Sequence, residues 1–220
     1  MVYVVRFHGV AAMKLYVFKS LPPFLVGYTR DIRAMWALEE CGLPYETIGF
    51  DCGPRGLESE PWFKSISPFN QVPVIDDDGF VLTESGAILL YAAEKSGKLI
   101  PRDLKGKAEV QRWCFTALNN VELLTLPIFL GEKSWHLEVL PRFLAPIDQR
   151  LEVQPYLTGN DFTVADILMT GVLREIRKTE LLRPFVHLEN YRRRCEERPA
   201  FRKVLEAYED RLGVARGSAR

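Results

Sequence analysis

The sequence predicts an α/β domain followed by an all-helical domain. Three observations carry this. Short β-type runs alternate with helical patterns up to about residue 100. An Asp-Gly turn flanked by two such runs marks a hairpin inside that half. Beyond Pro101 the strand signals vanish and apolar residues recur at helical spacing.

Lys14 to Phe18 (KLYVF) reads as the first strand, and Asp31 to Glu40 as a helix with Ile32, Met35 and Trp36 on one face. Tyr45 to Phe50 is a second strand, and Leu57 to Ile66 a short helix. Val72 to Ile75 and Phe80 to Thr83 flank the turn Asp76-Asp77-Asp78-Gly79. Ser85 to Lys95 is a helix stopped by Gly97. The order β-α-β-α-β-β-α is a parallel crossover followed by an antiparallel hairpin, which gives one mixed four-stranded sheet. In the second half Leu137, Leu140, Leu144, Ile147 and Leu151 form one buried face, which Pro141 and Pro146 are expected to bend or interrupt. Val164, Ile167, Leu168, Gly171 and Val172 repeat the pattern. So do Phe201, Val204, Leu205, Tyr208 and Leu212 behind Pro199. Domains are expected at residues 13–97 and 107–220, with a linker at 98–106. Residues 1–12 are expected to be an extension ahead of a start at Met13; Arg6 and His8 within it argue against a secretory leader.

The chain has 220 residues, 47% hydrophobic and 26% charged, which excludes a disordered chain. Lys+Arg and Asp+Glu both number 29, so no net field draws in nucleic acid or an acidic membrane, and neither is expected as a partner. The most apolar stretch, Val121 to Gly131, holds Glu122 and Pro127 and falls short of the roughly 18 residues of a membrane span. Cys41, Cys52, Cys114 and Cys195 lack metal-ligand spacing and lie far from His8, His136 and His187. No metal is expected, and reduced thiols in a cytoplasmic setting are.

Ser67-Pro68-Phe69-Asn70-Gln71-Val72-Pro73-Val74-Ile75 precedes the hairpin, and Glu84-Ser85 opens the helix after it. A proline beginning a strand cannot donate a ladder bond. With a cis Val72-Pro73 bond, Val72 would present its N–H and C=O as a free pair for a short extended peptide. The start of the Ser85 helix offers unpaired N–H groups to a carboxylate, and Glu84 beside it can accept from an amino group.

The element order, the Gln-Val-Pro turn and the Glu-Ser helix start together resemble the glutathione transferase superfamily, from Met13 to about Leu212. The resemblance implies a thioredoxin-like domain followed by a helical domain, glutathione as co-substrate, and a homodimer. It implies that Val72, ahead of Pro73, pairs with the cysteinyl backbone of glutathione. Glu84 and Ser85 would then grip the γ-glutamyl end, with Gln71 near the glycyl arm. Lys64 or Arg55 are candidates for the glycyl carboxylate.

The family places a Tyr, Ser or Cys near the start of its first helix, to hydrogen-bond the glutathione sulfur and favour thiolate. No Cys lies near Asp31, so the cysteine-dependent branches are not expected. Counting back from Glu39-Glu40-Cys41-Gly42-Leu43-Pro44-Tyr45, the serine of the serine-type classes falls on Tyr28 or Thr29. Tyr16, on the first strand, is nearest the tyrosine-type position, or else it is a core aromatic. Arg30 and Arg33 would add positive field. The zeta-type isomerase is not expected, since Tyr28-Thr29-Arg30 replaces its Ser-Ser-Cys run.

Leu21, Phe24, Leu25 and Val26 in the preceding loop either wall a hydrophobic co-substrate site or fold back onto the helical domain or a partner subunit. Trp113, Phe115 and Leu118 either face the same cleft or are ordinary core. Thr163-Val164-Ala165-Asp166 reads as a capping box, stapled by Phe162 and Ile167, so Asp166 is a structural acid. Arg192-Arg193-Arg194 before Glu196-Glu197 is a mixed-charge helix surface.

The expected activity is conjugation of the glutathione thiolate to a hydrophobic electrophile. Isomerisation or reductive cleavage through glutathione belongs to the same chemistry. A non-catalytic interaction module on the same fold is the alternative, kept open by the absent serine.

Overall fold

A computed structural model describes residues 12–52, 60–131 and 135–220. Residues 1–11 of the expected extension, Arg55 and the first residues of the expected 57–66 helix lie outside these. Contacts divide the chain into two units: residues 1–96 with 200–220, and residues 97–199.

The first unit holds four strands, β1 (Met13–Ser20), β2 (Tyr45–Asp51), β3 (Val74–Asp77) and β4 (Phe80–Leu82), in the order β2-β1-β3-β4. β1 and β2 are parallel, while β1–β3 and β3–β4 are antiparallel. The hairpin turn works as its residues dictate. Asp78 and Gly79 both take positive φ, and the Asp76 carboxylate accepts the Gly79 N–H at 2.8 Å.

Helix α1 (Asp31–Cys41) follows β1 and ends on left-handed Gly42. Residues 31–38 are all buried, so the whole helix start is interior and not only the Ile32, Met35, Trp36 face. Helix α2 (Phe63–Ile66) is a single turn, and α3 (Ser85–Ser96) packs on α1. β3 begins at Val74 and not at Val72, because Pro73 has no N–H for the ladder. The Val72–Pro73 peptide is cis.

The second unit comprises α4 (Leu104–Thr116), a π-helical turn (Ala117–Val121), α5 (Glu122–Phe129), α6 (Trp135–Val153), α7 (Val164–Leu173) and α8 (Val186–Glu196). α4 takes in three residues of the expected linker, because the Asp103 side chain caps it through the Gly106 N–H at 2.9 Å. α6 runs unbroken through Pro141 and Pro146, so the expected interruption does not occur. Both prolines lie on the exposed face, where the carbonyls they displace meet water. α7 is buried nearly all round, against α4, α5 and α8.

The last helix, α9 (Pro199–Leu212), groups with the first unit, although the sequence suggested a continuous helical domain to residue 220. Its apolar face explains this. Phe201 packs tilted against Trp36 of α1 with ring centroids 4.5 Å apart, and Lys203 pairs with Glu39 at 2.7 Å.

Candidate active site

Two backbone features shape one hollow of the first unit. Ser67, 2% exposed, fastens the turn before Pro73. Its hydroxyl accepts the Gln71 N–H and donates to the Gln71 carbonyl, each at 2.9 Å. Asn70 between them sits at φ 52°, a left-handed value that asparagine tolerates. On the other side Glu84 has φ 69°, and its carbonyl receives the Ile88 N–H at 2.9 Å, the first turn of α3. At that bend Glu84 stays exposed while Ser85, 5% exposed, becomes the first helical residue.

Arg30, Ser67, Phe69, Gln71, Val72, Pro73, Thr83 and Glu84 line the hollow. The structure thus brings together Gln71, Val72, Pro73 and Glu84 as the motif suggested, with Ser85 directly behind Glu84. It adds Arg30 from the start of α1, the neighbour of Thr29 in the chain. Ser67 and Thr83 were not singled out as site residues. The signal for Ser67 was a Ser four residues before a turn peptide, the spacing of a side-chain clamp on backbone.

Thr29 stands two residues ahead of α1, and its Oγ1 lies 2.8 Å from the phenolic oxygen of Tyr208 on α9. Tyr208 also accepts the Gly27 N–H at 3.3 Å. Sequence reasoning put Tyr208 on a packing face; a tyrosine among aliphatics there, needing a partner for its hydroxyl, was the available sign. Tyr28 is half-buried, and its N–H bonds the Leu25 carbonyl.

Tyr16 is 6% exposed and packs among Phe50, Trp62 and Phe63 at 5.8–6.1 Å between ring centroids. Burial pushes its phenol above the ordinary value. It occupies the core position that the sequence left open, and it is not among the lining residues. Phe24 is 63% exposed on a short turn (Pro23–Leu25), whereas Val26 and Gly27 are buried. The loop therefore folds back at its end and leaves Phe24 outside. Trp113 is 6% exposed within the helical unit, with the Arg112 guanidinium 4.5 Å and that of Arg150 5.3 Å from its ring; Phe115 is exposed.

Cys52, Cys114 and Cys195 are not activated nucleophiles. Burial pushes the Cys114 and Cys195 thiols up to about 12. Cys52, partly buried at the end of β2, is raised by burial and by the charge of Asp31. Among the described residues no cluster of His, Cys, Asp or Glu could hold a metal, and no helix is long and apolar enough to cross a membrane.

Residues 25–94 match the family model "Glutathione S-transferase, N-terminal domain", and residues 130–207 match "Glutathione S-transferase, C-terminal domain". The "Disulfide-bond oxidoreductase YfcG" of Escherichia coli strain K12 is 30% identical over 189 residues, covering 76% of this chain and 86% of that protein. The chain belongs to the glutathione transferase superfamily. Its fold is that of the superfamily, a thioredoxin-like domain with a four-stranded mixed sheet and a helical C-terminal domain. "Glutathione S-transferase theta-1" of Bos taurus is 33% identical over 162 residues, 64% of this chain and 63% of that one. The chain spans a little under two thirds of that relative. Among solved structures, a glutathione transferase from Burkholderia graminis with two glutathione molecules bound per subunit aligns with a TM-score of 0.74. It is 25% identical and covers 89% of this chain and 88% of its own.

Proposed function

We propose that this transferase binds glutathione in the hollow between the Gln71-Val72-Pro73 turn and the start of α3, and uses its thiolate to attack a hydrophobic electrophile. The observation that carries the reading is that Arg30, next to Thr29, lines the same hollow as Gln71, Val72, Pro73 and Glu84. The Val72 backbone would hold the cysteinyl residue as an added strand. Glu84 would accept from the γ-glutamyl ammonium, and the α3 N-terminus at Ser85 would take the neighbouring carboxylate. Thr29 would donate its hydroxyl proton to the sulfur, and the start of α1 and Arg30 would add positive field, all favouring thiolate. In the reaction a carbon–sulfur bond forms, and the leaving group departs with the electron pair of the bond it held. Phe24 is proposed for the hydrophobic side. A homodimer and a cytoplasmic setting belong to the same proposal.

Calorimetric titration with glutathione in two buffers of different ionisation enthalpy tests it. Binding with net proton release supports the assignment; binding without release, or no binding, sinks it.

A second reading is glutathione-dependent disulfide reduction, favoured by the Escherichia coli relative and by the two-glutathione complex from Burkholderia graminis. Two glutathione thiols would become glutathione disulfide as the substrate disulfide becomes two thiols. Glutathione disulfide formed with a small disulfide substrate, in the absence of conjugation, would favour this reading over the first.

A further inference from the structure

We propose that Tyr208 is a positioning residue for Thr29, fixing its hydroxyl so that the threonine proton is left for the glutathione sulfur. The inference rests on Thr29 being the thiol-activating group of the proposed site.

The available protons and lone pairs decide which hydroxyl donates. Tyr208 is 0% exposed. Its oxygen accepts the Gly27 N–H at 3.3 Å and lies 2.8 Å from Thr29 Oγ1. A phenol carries one proton, and leaving it without an acceptor in a buried site is costly. Among the described residues, the acceptor within reach of that proton is Thr29 Oγ1. The opposite arrangement, with Thr29 donating to Tyr208, would make the phenol oxygen accept twice and strand its own proton. The donor chain therefore runs from Gly27 N–H to Tyr208 O–H to Thr29 O–H, and each link polarises the next. Thr29 ends that chain with a proton to give and a lone pair already occupied.

The phenol remains a neutral donor at physiological pH. Burial and the Asp31 carboxylate push its ionisation up, outweighing the opposing influence of the Thr29 hydroxyl, the Gly27 N–H and the nearby Arg211 guanidinium. Packing alone does not require the hydroxyl, since a Phe ring would fill the same place beside Phe201, Val204 and Leu205 on the buried face of α9. The neighbouring Glu209, also buried, holds the segment from the other side. Its carboxylate accepts Gly217 N–H at 2.9 Å and Ala219 N–H at 2.8 Å, which folds the last residues back. The Ala219 carbonyl then lies so close that a Cβ on Gly27 would sit 2.5 Å from it. Gly27 is caught between Tyr208 and Ala219, and Thr29 follows two residues later.

The test is the pH titration of thiolate absorbance with glutathione bound, in the wild type, Tyr208→Phe, Thr29→Ala and the double variant. If Tyr208 acts through Thr29, Tyr208→Phe raises the pKa of the bound thiol by about one unit and lowers kcat/KM near pH 7 about tenfold, with the glutathione Kd nearly unchanged at pH below the bound thiol's pKa. The double variant then titrates like Thr29→Ala alone. An unshifted thiol in Tyr208→Phe, beside a shifted one in Thr29→Ala, overturns the role of Tyr208 and leaves Thr29 standing. No shift in Thr29→Ala overturns both. Should Tyr208→Phe fail to fold, 3-fluorotyrosine at position 208 keeps the shape and strengthens the donor. The thiol pKa must then fall, and an unmoved value overturns the proposal.

Discussion

Arg211 on α9 closes a buried ion pair with Asp31, the first residue of α1, at 2.7 Å, and the Asp31 residue is wholly buried. The same guanidinium donates to the Phe18 carbonyl at 2.9 Å and approaches the Met35 sulfur at 3.1 Å. One side chain therefore ties the end of β1 and the start of α1 to the last helix. Arg211→Met would leave an uncompensated buried carboxylate, and the expected loss is about 3–5 kcal/mol of unfolding free energy. Adding Asp31→Asn should recover a large part of it. Urea unfolding of the three variants measures this, and a loss in Arg211→Met below about 1 kcal/mol would mean that the pair is not what holds α9 here.

Three hydroxyls near the first helix make separable predictions. Thr29→Ala should lower kcat/KM for conjugation by about 10²-fold near neutral pH, the usual scale for losing one positioned proton donor. Thr29→Ser should keep most of it. Tyr16→Phe should leave thiolate formation unchanged, because that phenol is packed among Phe50, Trp62 and Phe63. Tyr28→Phe should likewise have little effect, since it is the Thr29 hydroxyl that Tyr208 holds. Full activity in Thr29→Ala, or a large loss in Tyr28→Phe, would transfer the role.

Glutathione affinity should respond to the two serines for different reasons. Ser67→Ala removes both bonds to the Gln71 peptide and frees the turn ahead of Pro73. Its glutathione Kd should rise about tenfold, which corresponds to roughly 1.4 kcal/mol. Ser85→Ala should weaken binding several-fold through the γ-glutamyl end. Isothermal titration decides, and unchanged affinity in both variants would remove the hollow as the glutathione site.

The parts of this molecule that were legible in the sequence are those set by local rules. The strand–helix alternation, the Asp78-Gly79 turn and the Gln71-Val72-Pro73 motif depend on neighbours within a few residues. Glu84 and Ser85 were readable for the same reason, as a helix start beside an acid. The parts that were hidden are those made by distant pairings. Tyr208 and Arg211 carry helical spacing that fits a packing face, and nothing local says that they reach Thr29 and Asp31, 179 and 180 residues away. The prolines of α6 suggested a bend or an interruption, and the interruption does not occur. A proline costs its helix one hydrogen bond on any face, but on an exposed face the freed carbonyl can bond water, and that Pro141 and Pro146 are exposed is a tertiary fact.

The hairpin predicts an acid-side dependence of stability. The Asp77 carboxylate accepts from the Tyr91 hydroxyl at 2.5 Å and from the Lys95 ammonium. Burial pushes its pKa up, but those two bonds and the charge of Lys95 pull it further down, to below the ordinary value. A depressed carboxyl stabilises the fold at pH above its unfolded value of about 3.9, and that contribution disappears as pH falls through the folded value. The stability gap between wild type and Asp77→Asn should therefore be present at pH 6 and close below about pH 4. A gap that persists unchanged at low pH would assign it to shape and not to charge.

Asp166 in the helical unit should separate structure from catalysis. Its carboxylate accepts the Thr163 N–H at 2.8 Å, the Thr163 hydroxyl at 3.0 Å, the Leu157 N–H at 2.9 Å and the Tyr191 hydroxyl at 3.0 Å. One side chain thus closes the start of α7, the loop before it and a phenol from α8. Burial is complete and pushes the carboxyl up, against the pull of all four bonds. Thr163→Ala removes one of these bonds and should cost about 1 kcal/mol. Asp166→Ala strands three further donors, at about 1–3 kcal/mol for each buried group left unpaired, so its loss should be several times larger. In both variants turnover per folded molecule should match the wild type, measured with the folded fraction counted by circular dichroism. A selective loss of turnover at full folding would instead make Asp166 part of the chemistry.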